Sequence, residues 1–149
     1  MRSDSLYTVG IHSLMLVAFF REDNMTSDKV ARSVGCNPVI VRNVFVKLSK
    51  AGLLRTGQGR KRPELARPAS EITLKDVFLA TQTDDVDCMF KMYDANPSCP
   101  VGRDIHSILQ SRFESARDAM LDDMSKTTIA DLVAELPPEK NRLPEHLRD

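Results

Sequence analysis

The stretch "TSDKVARSVGCNPVIVRNVFVKLSKAGLLRT", residues 26–56, decides the fold. Thr26 or Ser27 can cap the start of a short helix, and Gly35 fits the left-handed position after its end. Asn37 is then an N-cap followed by Pro38 at the first helical position, a strong start signal. The spacing predicts a second helix over about 38–50 that closes at "AGLL". Only Gly35, Cys36 and Asn37 separate the two, which gives the pattern of a helix-turn-helix. On the longer helix Ile40, Val41, Val44, Phe45 and Leu48 share a face and are expected in the core. Val39, Arg42, Asn43, Val46, Lys47 and Lys50 recur at three- and four-residue spacing on the opposite side. Cations, an amide and small apolar groups are the chemistry that meets phosphates and base edges in a major groove. A solvated helix face has a similar composition, so the flanking segments decide between the two.

Those segments favour nucleic acid. "LLRT" (53–56) reads as a strand, "GQGRKR" (57–62) as a turn and "PELAR" (63–67) as a returning strand. A hairpin directly after a helix-turn-helix is a wing. Its tip would carry Arg60, Lys61 and Arg62 to phosphates or into a narrow minor groove. Pro63 has no amide to donate, so the second strand must be an edge or begin late. Charge agrees. The 149-residue chain has 21 Lys/Arg and 21 Asp/Glu, yet residues 25–70 hold ten Lys/Arg and two Asp/Glu, net +8. Residues 71–149 hold nine and sixteen, net −7. A cationic middle suits a polyanion, and an acidic remainder limits non-specific sticking.

Residues 5–22 read as a first helix so broadly apolar that it should be buried from two sides, between the domain and something else. "EITLKDVFLATQ" (71–82) reads as a fourth helix, with Thr73 as cap and Asp76 three residues on. A loop over 83–101 holds Cys88 and "NPSCPVG". A long amphipathic helix over 102–124 follows, with Ile105, Ile108, Leu109, Phe113, Ala116, Met120 and Met124 in one stripe. Such a stripe is too long for a small winged domain to cover. It is read as a dimerisation helix on its twin and on the first helix, the alternative being an intramolecular lid. Thr128 with Asp131 starts a short helix "TIADLVAEL", and the Pro-rich charged tail is expected to be mobile. The expected fold is mainly α with a small β-hairpin. Its parts are a winged helix-turn-helix domain at 1–82, a linker loop at 83–101, a dimerisation arm with the short helix at 102–135 and a flexible tail at 136–149. No apolar run approaches the roughly eighteen residues of a membrane span, and the N-terminus lacks the marks of a signal peptide. The expected location is the cytoplasm, with the cysteines reduced.

In this order the segments resemble the Rrf-two family of bacterial winged helix-turn-helix regulators, over about residues 5–135. The resemblance is carried by "VARSVGCNPVIVRNVFVKLSKAGLLRT", by "ELARPASEITLKDVFLA" after the wing and by "TIADLVAEL". It implies a homodimer with crossed long helices that binds an imperfect DNA palindrome, here read as a repressor. Two departures stand out. "RKRP" (60–63) occupies the place where many members have a glycine pair. Cluster-binding members carry three closely spaced cysteines before the long helix, whereas here that region offers only Cys88 and Cys99. The chain therefore resembles the cluster-free branch; an iron–sulfur-sensing regulator of the same family is the alternative.

The candidate DNA contacts are Ser27, Asn37 and Pro38 at the helix starts, Val39, Arg42 and Asn43 on bases, and Lys47 and Lys50 on phosphates, with Arg60, Lys61 and Arg62 in the wing. No metal ligand set or cofactor is implied. A cluster needs about four thiolate or imidazole ligands, and His12, His106 and His146 are scattered. A thiol switch is better motivated. Cys36 precedes the cap of the reading helix, where the dipole and Arg32 and Arg42 are expected to favour a thiolate. Cys99 stands at the entry of the long helix, where it could approach the other subunit. Oxidation joining Cys36 to Cys99 of the other chain would re-aim two reading helices that must meet half-sites at fixed spacing. A thiol redox enzyme is disfavoured, with no Cys-x-x-Cys pair and no phosphate-binding glycine loop. The +8 segment argues against an interaction module that does not touch DNA. A small-molecule effector pocket between the first helix and the winged domain is compatible with the sequence but not identified by it.

Overall fold

The computed structural model describes residues 3–57, 62–82, 89–137 and 143–148, with side chains from residue 5. Arg60, Lys61 and Cys88 lie outside the described residues. The elements run α1 (Ser3–Phe19), α2 (Ser27–Val34), α3 (Pro38–Lys50), β1 (Leu54–Arg55), β2 (Glu64–Leu65), α4 (Leu74–Thr81), α5 (Pro100–Met124) and α6 (Ile129–Ala134).

Local chemistry explains the helix-turn-helix. Thr26 Oγ1 accepts the Lys29 amide and caps α2. Gly35 ends α2 at φ 79°, a left-handed position that a side chain would strain. Asn37 Oδ1 accepts the Val39 amide at 2.9 Å, and Pro38 opens α3. Gly52, at φ 73°, turns the chain from α3 into the hairpin, in which Leu54 faces Leu65 and Arg55 faces Glu64 in antiparallel register. Pro63 falls outside β2, which begins at Glu64 and needs no donor from it.

The core lies between α1, α3 and α4. Leu14, Val41, Val44, Leu48, Ile72 and Val77 are fully buried there. α1 packs against α2, α3, α4, α6 and β2, so much of its all-round apolarity is satisfied within the chain. It ends at Phe19, three residues before the expected end at Glu22, as Arg21 Nε donates to the Ala18 carbonyl and closes the last turn. Gly10 sets the approach to α4: a β-carbon there would meet Thr81 Cγ2 and Val77 Cγ1 at 3.1 Å.

Two capping boxes sit side by side. Thr73 with Asp76 starts α4, and Thr128 with Asp131 starts α6. The two threonines pair across an antiparallel bridge, with the Ile129 amide on the Ile72 carbonyl at 2.9 Å. Ile129 is consequently buried in the core of the winged domain. The short helix, grouped by sequence with the dimerisation arm, thus packs on α1.

Two further differences have physical causes. α5 begins at Pro100, two residues before the expected start, because Cys99 takes the N-cap position and Pro100 fits the first turn. The end of the tail, expected to be mobile, is packed over residues 143–148: Leu143 and Leu147 are buried, and Glu145–Leu147 forms a 3-10 turn against α2. Arg32 donates to the His146 carbonyl, and Arg148 Nε to that of Leu143. The burial of two leucines four residues apart offsets part of the entropy lost in ordering this segment.

Candidate nucleic-acid interface

The outer face of α3 is open. Val41, Val44, Phe45 and Leu48 point inward and are buried, while Ile40 is half-buried. Val39 and Val46 are 53% and 52% exposed on the opposite face, with Arg42, Asn43 and Lys50 exposed beside them and Lys47 half-buried. The face predicted for reading is the one the fold leaves uncovered.

Arg42 is held at the mouth of the helix-turn-helix. Its Nη2 reaches Asp28 Oδ1 on α2 at 3.3 Å, both side chains being more than half exposed. An exposed pair of this kind contributes about 0–1 kcal/mol, so the guanidinium is only weakly held to Asp28. This cross-helix pair was not legible in the sequence, where Asp28 reads only as an acid in the first turn of α2. Ser27 and Pro38 are half-buried and Asn37 exposed, all at helix N-termini whose amides and dipoles favour an anion.

Of the predicted wing cations, the described one is Arg62, which lies in the hairpin loop two residues before β2. Its Nη1 donates to the Glu22 carbonyl at 3.2 Å, and its Nε lies 3.5 Å from Glu64 Oε1. It anchors the wing to the segment after α1.

The cysteines differ from expectation. Cys36 is half-buried against the core, and burial pushes its thiol up from the ordinary value. Asn37, not Cys36, meets the free amides of α3, so burial is the effect that acts on the Cys36 sulfur. The opposite holds at Cys99. It is the exposed N-cap residue of α5, and the backbone amides of Gly102 and Val101 favour its thiolate and lower its pKa, although the side chain makes no capping hydrogen bond. Competitive alkylation near neutral pH should modify Cys99 before Cys36, because the thiolate is the nucleophile. Faster labelling of Cys36 would contradict this assignment.

An apolar cavity of about 480 Å³ lies along the outer side of α1, lined by Ile11, Met15, Leu16 and Phe19 and by Leu136, Pro137 and Pro144 of the tail. His12 is on its wall, with Nε2 2.9 Å from Ser33 Oγ of α2. Burial lowers the His12 pKa, which favours the neutral ring.

α5 is the other exposed feature. None of its 25 residues is buried. Ile108 is 49% exposed, and Phe113 stacks on the loop residue Phe90 with centroids 4.5 Å apart. Among the described residues no helix is long and apolar enough to cross a membrane.

Comparison with known proteins agrees with this architecture. The model of the Rrf2 family, described as "Iron-dependent Transcriptional regulator", matches residues 4–135. The chain is 31% identical over 134 residues to YwnA of Bacillus subtilis (strain 168), a candidate HTH-type transcriptional regulator, across 89% of this chain and 98% of that one. A crystal structure of a candidate DNA-binding protein is 31% identical, with a TM-score of 0.71, over 85% of this chain and 97% of the other. A candidate transcriptional regulator from Lactobacillus plantarum, 23% identical with a TM-score of 0.74 over 91% and 92% of the two chains, shows the fold alone.

The family description names iron, and the residues present can be tested against it. A cluster takes about four thiolate or imidazole ligands. Cys36 packs on the core of the helix-turn-helix and Cys99 caps α5, and no three His, Cys, Asp or Glu side chains among the described residues come together as a metal site. Among the described residues no ligand set for an iron centre comes together, and Cys88 lies outside them. The match over residues 4–135, the winged helix-turn-helix and the long α5 together place the chain in the Rrf2 family of transcriptional regulators.

Proposed function

We propose that this protein is a homodimeric repressor that docks α3 in the major groove of a palindromic operator, with the wing on the flanking backbone. The observation that carries the reading is the exposed face of α3, where Arg42, Asn43, Lys47 and Lys50 stand beside Val39 and Val46 with no described element covering them. Arg42 and Asn43 are the base readers, since a guanidinium and an amide form bidentate contacts with guanine and adenine. Lys47 and Lys50, in the last turn of α3, bind phosphates, and Ser27, Asn37 and Pro38 bring helix N-termini to the backbone. Arg60 and Lys61 belong to the wing contact, and Arg62 can release Glu64 to join them.

The homodimer rests on α5. A helix of 25 residues without a buried one, carrying an apolar stripe, needs a partner, and a second copy of α5 presents the same stripe. A cytoplasmic location follows from the DNA partner. Signal input has two candidate routes. Cys99 is the reactive thiol of a redox switch, and Cys36 of the other subunit is the group it would join. An apolar effector in the cavity beside His12 would reach α2 through Ser33.

The test is the salt dependence of binding to duplex DNA. Affinity should fall steeply as salt rises, by a log–log slope of about 0.9 for each phosphate neutralised. The double variant Lys47→Ala, Lys50→Ala should flatten that slope by about two. Binding that ignores salt, or an unchanged slope in the variant, would remove the phosphate-contacting role.

A further inference from the structure

Val39 and Val46 are anomalous on the face they occupy. Both are β-branched apolar side chains about half exposed, in a helix whose other apolar residues are half or fully buried. Single exposed valines need no explanation. These two, however, stand on one stripe with Arg42 and Asn43 between them, at the spacing 39, 42, 43, 46 that marks one side of a helix.

The neighbouring charge limits what can cover them. Arg42, Lys47 and Lys50 flank the pair, in a segment that carries ten cations and two acids. An apolar protein surface docked here would desolvate those cations without compensation. A DNA duplex satisfies the cations on its phosphates. In the major groove it also offers one apolar group, the 5-methyl of thymine. Cytosine methylated at the same carbon presents the same chemistry.

We infer that Val39 and Val46 are specificity-determining contacts for pyrimidine 5-methyl groups, so that each operator half-site carries two such methyls on either side of the bases read by Arg42 and Asn43. Spacing follows from helix geometry. Seven residues advance the helix by about 10 Å, at 1.5 Å each. That equals about three base-pair steps of 3.4 Å, and two helical turns return the second valine to nearly the same face. The two methyls therefore lie about three base pairs apart. The inference rests on the proposed DNA-binding reading and narrows it to a chemical group.

The probe is a duplex that the protein itself selects from random-sequence DNA. Each thymine of the selected half-site is replaced in turn by uracil, which removes only the methyl, and in separate duplexes by 5-methylcytosine opposite guanine, which restores a methyl on another base. Wild-type protein should lose about fourfold in affinity at each of two positions some three base pairs apart, the value of one buried methyl. A 5-methylcytosine duplex should bind more tightly than its unmethylated cytosine counterpart at those positions. The preference for thymine over uracil should vanish at one position in Val39→Ala and at the other in Val46→Ala, each variant keeping the preference at the other position and the melting temperature.

Equal affinity for thymine and uracil throughout a selected site would overturn the inference while leaving the DNA-binding reading intact. A preference that survives in both variants would overturn it equally, since another group would then read the methyl. If no sequence is enriched at all, the sequence-reading function itself fails and the inference falls with it.

Discussion

Leu48→Ala is expected to lower the unfolding free energy by about 2–5 kcal/mol, the cost of deleting a large buried aliphatic side chain and leaving a cavity. Leu48 is fully buried on the inner face of α3. Its Cδ2 would lie 3.8 Å from a β-carbon at Gly10, at the point where α1 comes closest to Val77 and Thr81 of α4. The side chain therefore fills the junction of three helices, and the tight passage at Gly10 leaves α1 little freedom to move into the gap. For a chain of this length the loss should lower the melting temperature by roughly 5–20 °C. Val39→Ala is the control. It lies on the same helix but is 53% exposed, so its effect should stay within about 0.5 kcal/mol. Thermal unfolding of both variants at one protein concentration checks the pair. Equal losses in the two would mean that the faces of α3 are not divided between core and solvent as described.

That division was legible because it rests on local rules. Asn37, Pro38 and Gly35 act on their own backbone neighbours, so the bounds of α2 and α3 and the turn between them could be read from residue types. The same holds for Thr73 with Asp76 and Thr128 with Asp131, whose boxes close within four residues. Interactions between distant segments were not legible. Asp28 reaches Arg42 across the helix-turn-helix, and Leu143 and Leu147 fold onto α2 from a tail whose composition suggested mobility. Ile129 enters the core of the winged domain through a bridge between residues 55 positions apart, Thr73 and Thr128.

Cys36 shows how a local rule misleads when burial opposes it. Its place just before a helix start suggested a thiolate, but Asn37 meets the α3 amides and the sulfur is desolvated. Cys99 has the same kind of position on an exposed helix start, and there the amides act on the sulfur with little burial to oppose them. The wing is legible as a hairpin at its base, where Leu54 pairs with Leu65, while Arg60 and Lys61 lie outside the described residues.

Arg42→Ala is the second large effect, and it bears on the claim that α3 reads sequence. The Arg42 guanidinium stands on the open face of α3, where an exposed carboxylate, that of Asp28, lies 3.3 Å away. A bidentate contact to a base is worth about 1–3 kcal/mol of discrimination, which corresponds to roughly fivefold to 150-fold in affinity. Because the side chain is exposed, its removal should leave the melting temperature nearly unchanged. Phosphate contacts behave differently, since their loss weakens all sequences alike. The decisive measurement is the affinity of wild-type protein and Arg42→Ala for a self-selected duplex and for the same duplex scrambled. The expected result is a roughly fivefold to 150-fold loss on the selected duplex and only a small loss on the scrambled one. An equal loss on both would contradict it, placing Arg42 on the backbone and leaving α3 without its principal reader.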